Sequence, residues 1–160
     1  MSDKPKFIYV IYIAAPAEKV WEALTMPDIT EKYWFGYRVA ADGKPGDRMR
    51  AMSPAGKLAH DDPILESDPP RRLVYGWKPL YKDLPDERAS RVTFELAPFK
   101  GQTRLTVIHD EFEESSRIFE MISKGWPAVL SSMKSFLETG SGLEPSWTEA
   151  EQRRAAEASA

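Results

Sequence analysis

Hydrophobic positions repeat with a helical period over residues 116–140. Ile118, Phe119, Ile122, Trp126, Val129, Leu130, Met133, Phe136 and Leu137 fall in one arc, roughly 120° wide at 100° per residue. Glu120, Ser123, Lys124, Ser131, Lys134 and Glu138 occupy the other side. The pattern predicts a helix of about 22 residues, roughly 33 Å long, stopped at Gly140, where a residue just past a helix end often needs positive φ. Pro127 lies inside it, and its ring would clash with the carbonyl four residues back, so a kink on the solvent side is expected near Gly125-Trp126-Pro127. So wide an apolar face needs cover from elsewhere in the chain.

Upstream, the period is mostly two. Residues 7–13, FIYVIYI, are β-branched and aromatic and break at Ala14-Ala15-Pro16, which predicts a strand. It is apolar on both faces, so an outer set such as Ile8, Val10 and Tyr12 needs cover, and a homodimer contact is one source of it. Pro16 then opens a short helix to Thr25, with Ala17, Val20, Trp21 and Leu24 on one side, and Pro27 opens a second to Tyr33. Alternation and turn residues predict six more strands: 35–39, 47–52, 57–67, 71–77, 90–97 and 103–109. Pro63 should bulge or break the third of these, because it cannot donate to a ladder. Residues 78–88 are a loop, and Lys100-Gly101 is a hairpin turn.

The expected architecture is α+β. A curved seven-stranded antiparallel sheet wraps around the long C-terminal helix, with two short helices between the first and second strands. Residues 1–140 form one domain. The remainder, 141–160, is a charged, Ala-rich tail, either a marginal helix begun at Ser146 and anchored by Trp147 or a disordered end.

Composition narrows the function. With 42% hydrophobic and 11% aromatic residues, five of them Trp, the chain is that of a folded domain. A net charge of −3 without a basic block argues against nucleic acid. The absence of cysteine excludes disulfides, thiolate catalysis and zinc-thiolate or iron–sulfur centres. The longest apolar run, residues 7–15, falls short of the roughly 20 residues a membrane helix needs. No convincing signal-peptide cleavage site follows it, so a cytoplasmic location without membrane contact is expected.

Several separated motifs together resemble a known group. Residues 13–25, IAAPAEKVWEALT, followed by Trp34 and Gly46-Asp47, are similar to the opening of the START/Bet v 1-type superfamily. Residues 69–77, PPRRLVYGW, and 125–138, GWPAVLSSMKSFLE, resemble the branch homologous to the C-terminal domain of the heat-shock-protein ATPase activator. The resemblance spans about residues 6–140. It implies a helix-grip fold with a cavity between sheet and helix, in a superfamily of lipid, hormone and polyketide binders with occasional enzymes.

Parity places Leu73, Tyr75 and Trp77 on one face, as it does Leu105, Val107 and His109. The candidate ligand-lining residues are Trp34, Tyr75, Trp77, Phe94, His109, Phe119, Ile122 and Trp126. His109 ends an inward row near the start of the long helix, so it is expected at a cavity mouth, where it could orient a ligand or move a proton; the alternative is a structural histidine. The aromatic set serves equally well as core. His60-Asp61-Asp62 offers metal-ligand chemistry, but neighbouring strand residues point to opposite faces, so no metal site is assigned. No catalytic set and no cofactor fingerprint is visible. The expected function is non-catalytic binding of an apolar or amphipathic small molecule. The alternatives are a chaperone-activator-like interaction module and a cyclase or dehydratase using His109.

Overall fold

A computed structural model describes residues 4–81, 84 and 86–144. The elements run β1 (Phe7–Ile13), α1 (Ala17–Thr25), α2 (Pro27–Tyr33), β2 (Arg38–Ala40), β3 (Arg48–Met52), β4 (Leu58–Asp68), β5 (Arg72–Trp77), β6 (Ser90–Phe99), β7 (Gln102–Asp110) and α3 (Arg117–Thr139). All seven strands belong to one antiparallel sheet in the order β1-β7-β6-β5-β4-β3-β2. The sheet is strongly curved and grips α3, with α1 and α2 inserted between β1 and β2 as the pattern predicts.

Helix α3 forms where the 3.6-residue pattern places it. Ser116 caps its start by accepting from the Phe119 N–H at 3.1 Å, and Gly140 ends it with φ of +89°. The apolar arc is buried at Ile118, Ile122, Trp126, Val129, Leu130 and Met133. The helix runs unbroken through Pro127, which is half-buried rather than on the solvent side. Two members of the polar face have tertiary roles. Lys134 donates to the Tyr12 carbonyl at 2.6 Å, and Glu138 accepts from the Ala14 N–H at 2.7 Å. The bond from Lys134, then that from Ala14, holds the Glu138 carboxyl below its ordinary pKa. Because β1 is an edge strand, this pair covers part of an otherwise open row of backbone groups.

Three boundaries differ from the sequence pattern for local reasons. The strand expected at 35–39 is only Arg38–Ala40, because Phe35 and Gly36 turn the chain with φ of +51° and +87°. Strand β4 passes through Pro63 without a break. Pro63 pairs with Arg48 on β3. A Cβ on Gly76 of β5 would meet the Pro63 ring at 3.3 Å, so the glycine makes room for it. The register shift comes just after, between Ile64 and Glu66. The β6–β7 hairpin is longer than expected, closed by Lys100 and Gly101 at φ of +50° and +78°, a two-residue turn whose twist matches the strands.

The outer side of β1 stays open: Ile8, Val10 and Tyr12 are 58%, 50% and 47% exposed. The tail reading at Ser146, Trp147 and Glu149 lies outside the described residues. Among the described residues, no helix is long and apolar enough to cross a membrane.

Candidate functional site

The concave face is built by register. Leu73 pairs with Phe94, Tyr75 with Val92 and Trp77 with Ser90 between β5 and β6. Val92 pairs with His109 and Phe94 with Val107 between β6 and β7. Every second residue therefore points at α3, and Trp126 of α3 descends into the middle of this surface. Its ring lies 5.6 Å from Trp34, 5.2 Å from Trp77 and 5.7 Å from Phe94, centroid to centroid. Tyr75 extends the group, 5.7 Å from Phe94 and 6.5 Å from Trp77. Six predicted residues, Trp34, Tyr75, Trp77, Phe94, His109 and Trp126, are thus brought together. Phe119 joins through Phe112, at 5.2 Å. Ile122 is buried on α3 one turn before Trp126.

His109 is not at a mouth. It is fully buried, stacked on Phe112 at 4.8 Å, and both ring nitrogens are engaged. Trp126 Nε1–H, which can only donate, lies 3.0 Å from His109 Nδ1. Nδ1 is therefore the acceptor, and the imidazole proton sits on Nε2. Nε2–H donates to Ser90 Oγ at 2.8 Å, and the Ser90 hydroxyl donates to the Trp77 carbonyl at 3.1 Å. Burial first, then the charge of His60, lowers the His109 pKa to about 3. This imidazole is neutral at physiological pH and fixed in one tautomer, which suits a strut between β7 and α3 better than a proton carrier.

Tyr75 presents the opposite case. It is fully buried, and its hydroxyl has no hydrogen-bond partner among the described residues. Leaving such a group unpaired costs about 1–3 kcal/mol. Burial first, then the carboxylate of Asp62, pushes its pKa well above that of an ordinary phenol, so it stays protonated as a donor.

Asp62 belongs to a pair the metal reading of residues 60–62 obscured. His60 and Asp62 share the inner face of β4, both buried, with His60 Nδ1 3.2 Å from Asp62 Oδ2, and the His60 ring packs 4.2 Å from Trp77. Asp61 faces outward to Arg48 and Arg50. Among the described residues, no group of three or more His, Asp or Glu is placed to hold a metal ion.

Past Trp77 the concave face reaches an open pocket of about 130 Å³, lined by Trp77, Tyr81, Leu84, Glu87, Arg88 and Ile118 among others. Glu87 binds the start of α3 here. Its carboxylate accepts from the Arg117 N–H at 2.9 Å, the Ile118 N–H at 3.3 Å and the Ser116 hydroxyl at 3.2 Å, a favourable place for negative charge. Sequence reasoning missed Ser90, Phe112 and Glu87. Ser90 was findable, since it shares parity with Val92 and Phe94. Glu87 carried no periodic signal, because its role depends on a contact 30 residues away.

A curved sheet gripping one long helix, with a row of rings between them, defines a helix-grip protein of the START/Bet v 1 superfamily. A family profile described as "Activator of Hsp90 ATPase homolog 1-like protein" matches residues 14–138, and the chain belongs to that family. Among solved structures, a protein from Mesorhizobium loti is 26% identical, with 84% of this chain and 97% of that one covered and a TM-score of 0.70. The Aha1 dimer of Colwellia psychrerythraea is 22% identical, covering 86% and 99%, with a TM-score of 0.69. An HSP90 activator from Plasmodium falciparum is 20% identical, covering 83% and 96%, with a TM-score of 0.66. Among curated proteins, none matches the chain.

Proposed function

We propose that this chain is a non-catalytic binding module that takes up one apolar or amphipathic small molecule between the sheet and α3. The observation that carries this reading is the continuity of an open pocket with the ring cluster: Trp77 lines both the 130 Å³ pocket and the group around Trp126. The ring cluster supplies the aromatic surface usual in small-molecule sites, while Lys78, Asp86, Glu87 and Arg88 give the pocket itself a charged lining, which suits the polar end of an amphipathic molecule. The engaged nitrogens and neutral state of His109 favour binding over acid–base catalysis.

Native mass spectrometry of freshly purified protein, followed by solvent extraction, tests the reading. A small-molecule adduct is expected; an empty protein that stays empty after incubation with a panel of apolar ligands overturns it. The same spectrum reports association. The exposed Ile8, Val10 and Tyr12 on edge strand β1 support a homodimer, as does the dimeric state of the Colwellia relative.

Family membership supports a second reading, a chaperone-activator-like interaction module. An ATPase assay with an Hsp90-class chaperone from the same source checks it. A several-fold stimulation supports the module, and unchanged turnover with no complex formed removes it.

A further inference from the structure

Both edges of the sheet are covered by the chain itself, but β1 only in part. At β2, the Val39 N–H donates to Thr30 Oγ1 at 2.8 Å and the Ala41 N–H to the Thr25 carbonyl at 3.0 Å. At β1, Lys134 and Glu138 take the Tyr12 carbonyl and the Ala14 N–H. The even-numbered residues here therefore turn their main-chain groups away from β7. Those of Lys6, Ile8 and Val10 point off the sheet, and among the described residues nothing bonds to them. Such an edge is a template for another strand.

The uncovered stretch is complementary to itself. A two-fold axis at Ile8, its midpoint, sets Ile8 against the partner's Ile8, Lys6 against the partner's Val10, and Phe7 against the partner's Tyr9. Ile8 is 58% exposed and sits beside half-buried Ile108 of β7, so these isoleucines and their counterparts form one apolar row across the seam. The stem of Lys6 lies over Val10. On the other face Phe7 and Tyr9 already stack at 6.1 Å, and aromatic residues directly opposite one another stabilise a ladder. No like charges are opposed. Lys4 of each copy arrives instead at the other's Tyr12 and Glu138, whose Oε1 makes no bond among the described residues. The Tyr12 carbonyl, occupied by Lys134, ends the ladder.

We infer that β1 pairs antiparallel with β1 of a second copy about a two-fold axis at Ile8, joining the two sheets edge to edge. This rests on the homodimer read above from the exposed β1 side chains and gives it a geometry; it is independent of the small-molecule reading.

The chain has no cysteine, so single cysteines report the seam. Across the axis the two Cβ atoms at position 8 stand about 4.5–5.5 Å apart, within disulfide reach. Those at position 12 are eight residues apart along the ladder, about 26 Å. Under mild oxidation Ile8→Cys should form a disulfide-linked dimer at least about 10-fold faster than Tyr12→Cys. Sedimentation equilibrium of the wild type should show a mass rising from one chain toward two with concentration. Ile8→Pro removes a donor that the monomer leaves unpaired, a change an edge strand tolerates, and should stay at one chain with wild-type circular dichroism. Equal disulfide rates, or a folded Ile8→Pro that still associates, overturn the edge pairing while the homodimer stands. If Ile8→Pro fails to fold, the cysteine pair decides. A wild type of one chain at every concentration overturns both and leaves the edge to a strand of another protein.

Discussion

Replacing Trp126 with alanine should cost about 4–6 kcal/mol, the largest loss expected from any single side chain of the site. Truncating a buried aromatic residue costs about 3–5 kcal/mol through lost burial and the cavity left behind, and Trp126 is 2% exposed with three aromatic neighbours and a histidine around it. The variant also removes the one donor to His109 Nδ1 among the described residues, adding about 1 kcal/mol for an acceptor left buried and unpaired. Native domains hold only about 5–15 kcal/mol in total, so Trp126→Ala should be partly unfolded at 37 °C. Urea denaturation at 25 °C measures the loss. Trp126→Phe separates the two contributions: it keeps most of the packing but not the N–H, and should cost about 1–3 kcal/mol. A loss below about 1.5 kcal/mol for Trp126→Ala would mean that the cluster is loosely packed and already able to collapse.

Acid should weaken the fold through His109. Its pKa is lowered from 6.5 to about 3 in the folded protein, so the unfolded chain binds the proton more readily and stability rises with pH. The contribution is fully present above the unfolded value near 6.5 and is lost as pH falls below it. It amounts to roughly 2 kcal/mol by pH 5, at 1.36 kcal/mol per pKa unit. His60, on β4 across the concave face, adds to the effect, because a charge there opposes a charge on His109. His109→Gln, which cannot titrate, should flatten stability between pH 7 and pH 5 even if it is less stable overall. The measurement is urea denaturation of both proteins at several pH values. Parallel curves would show that His109 is protonated at little cost and that the Ser90-His109-Trp126 chain is not intact in solution.

These two residues also show how far one-dimensional pattern reaches. Trp126 was placed in the apolar arc of the long helix, and His109 on the inward row of the last strand, from period alone. Both positions hold. Their pairing could not be read, because it joins residues from two elements whose relative height depends on how deeply α3 sits in the sheet. His109 was expected at a rim because it ends its strand's inward row. The curvature of the sheet, with Phe112 folding back over the ring, closes that end instead. His60 and Asp62 were seen only as part of a charged triplet. Once strand period separates them from Asp61 they are a buried pair, and it was their burial, set by β3, β5 and Trp77, that the sequence did not announce.

The sequence by itself determined the fold class, the element order, the span and C-terminal stop of α3, and the inward parity of β5, β6 and β7. Each of these follows from local periodicity and turn chemistry, which act over a few residues. Only the tertiary structure decided where β2 begins, how Gly76 accommodates Pro63, how Lys134 and Glu138 hold the β1 edge, and which buried polar groups are satisfied. Those outcomes depend on contacts between residues distant in the chain. A single missing partner, as at the Tyr75 hydroxyl, is defined only once every neighbour is in place.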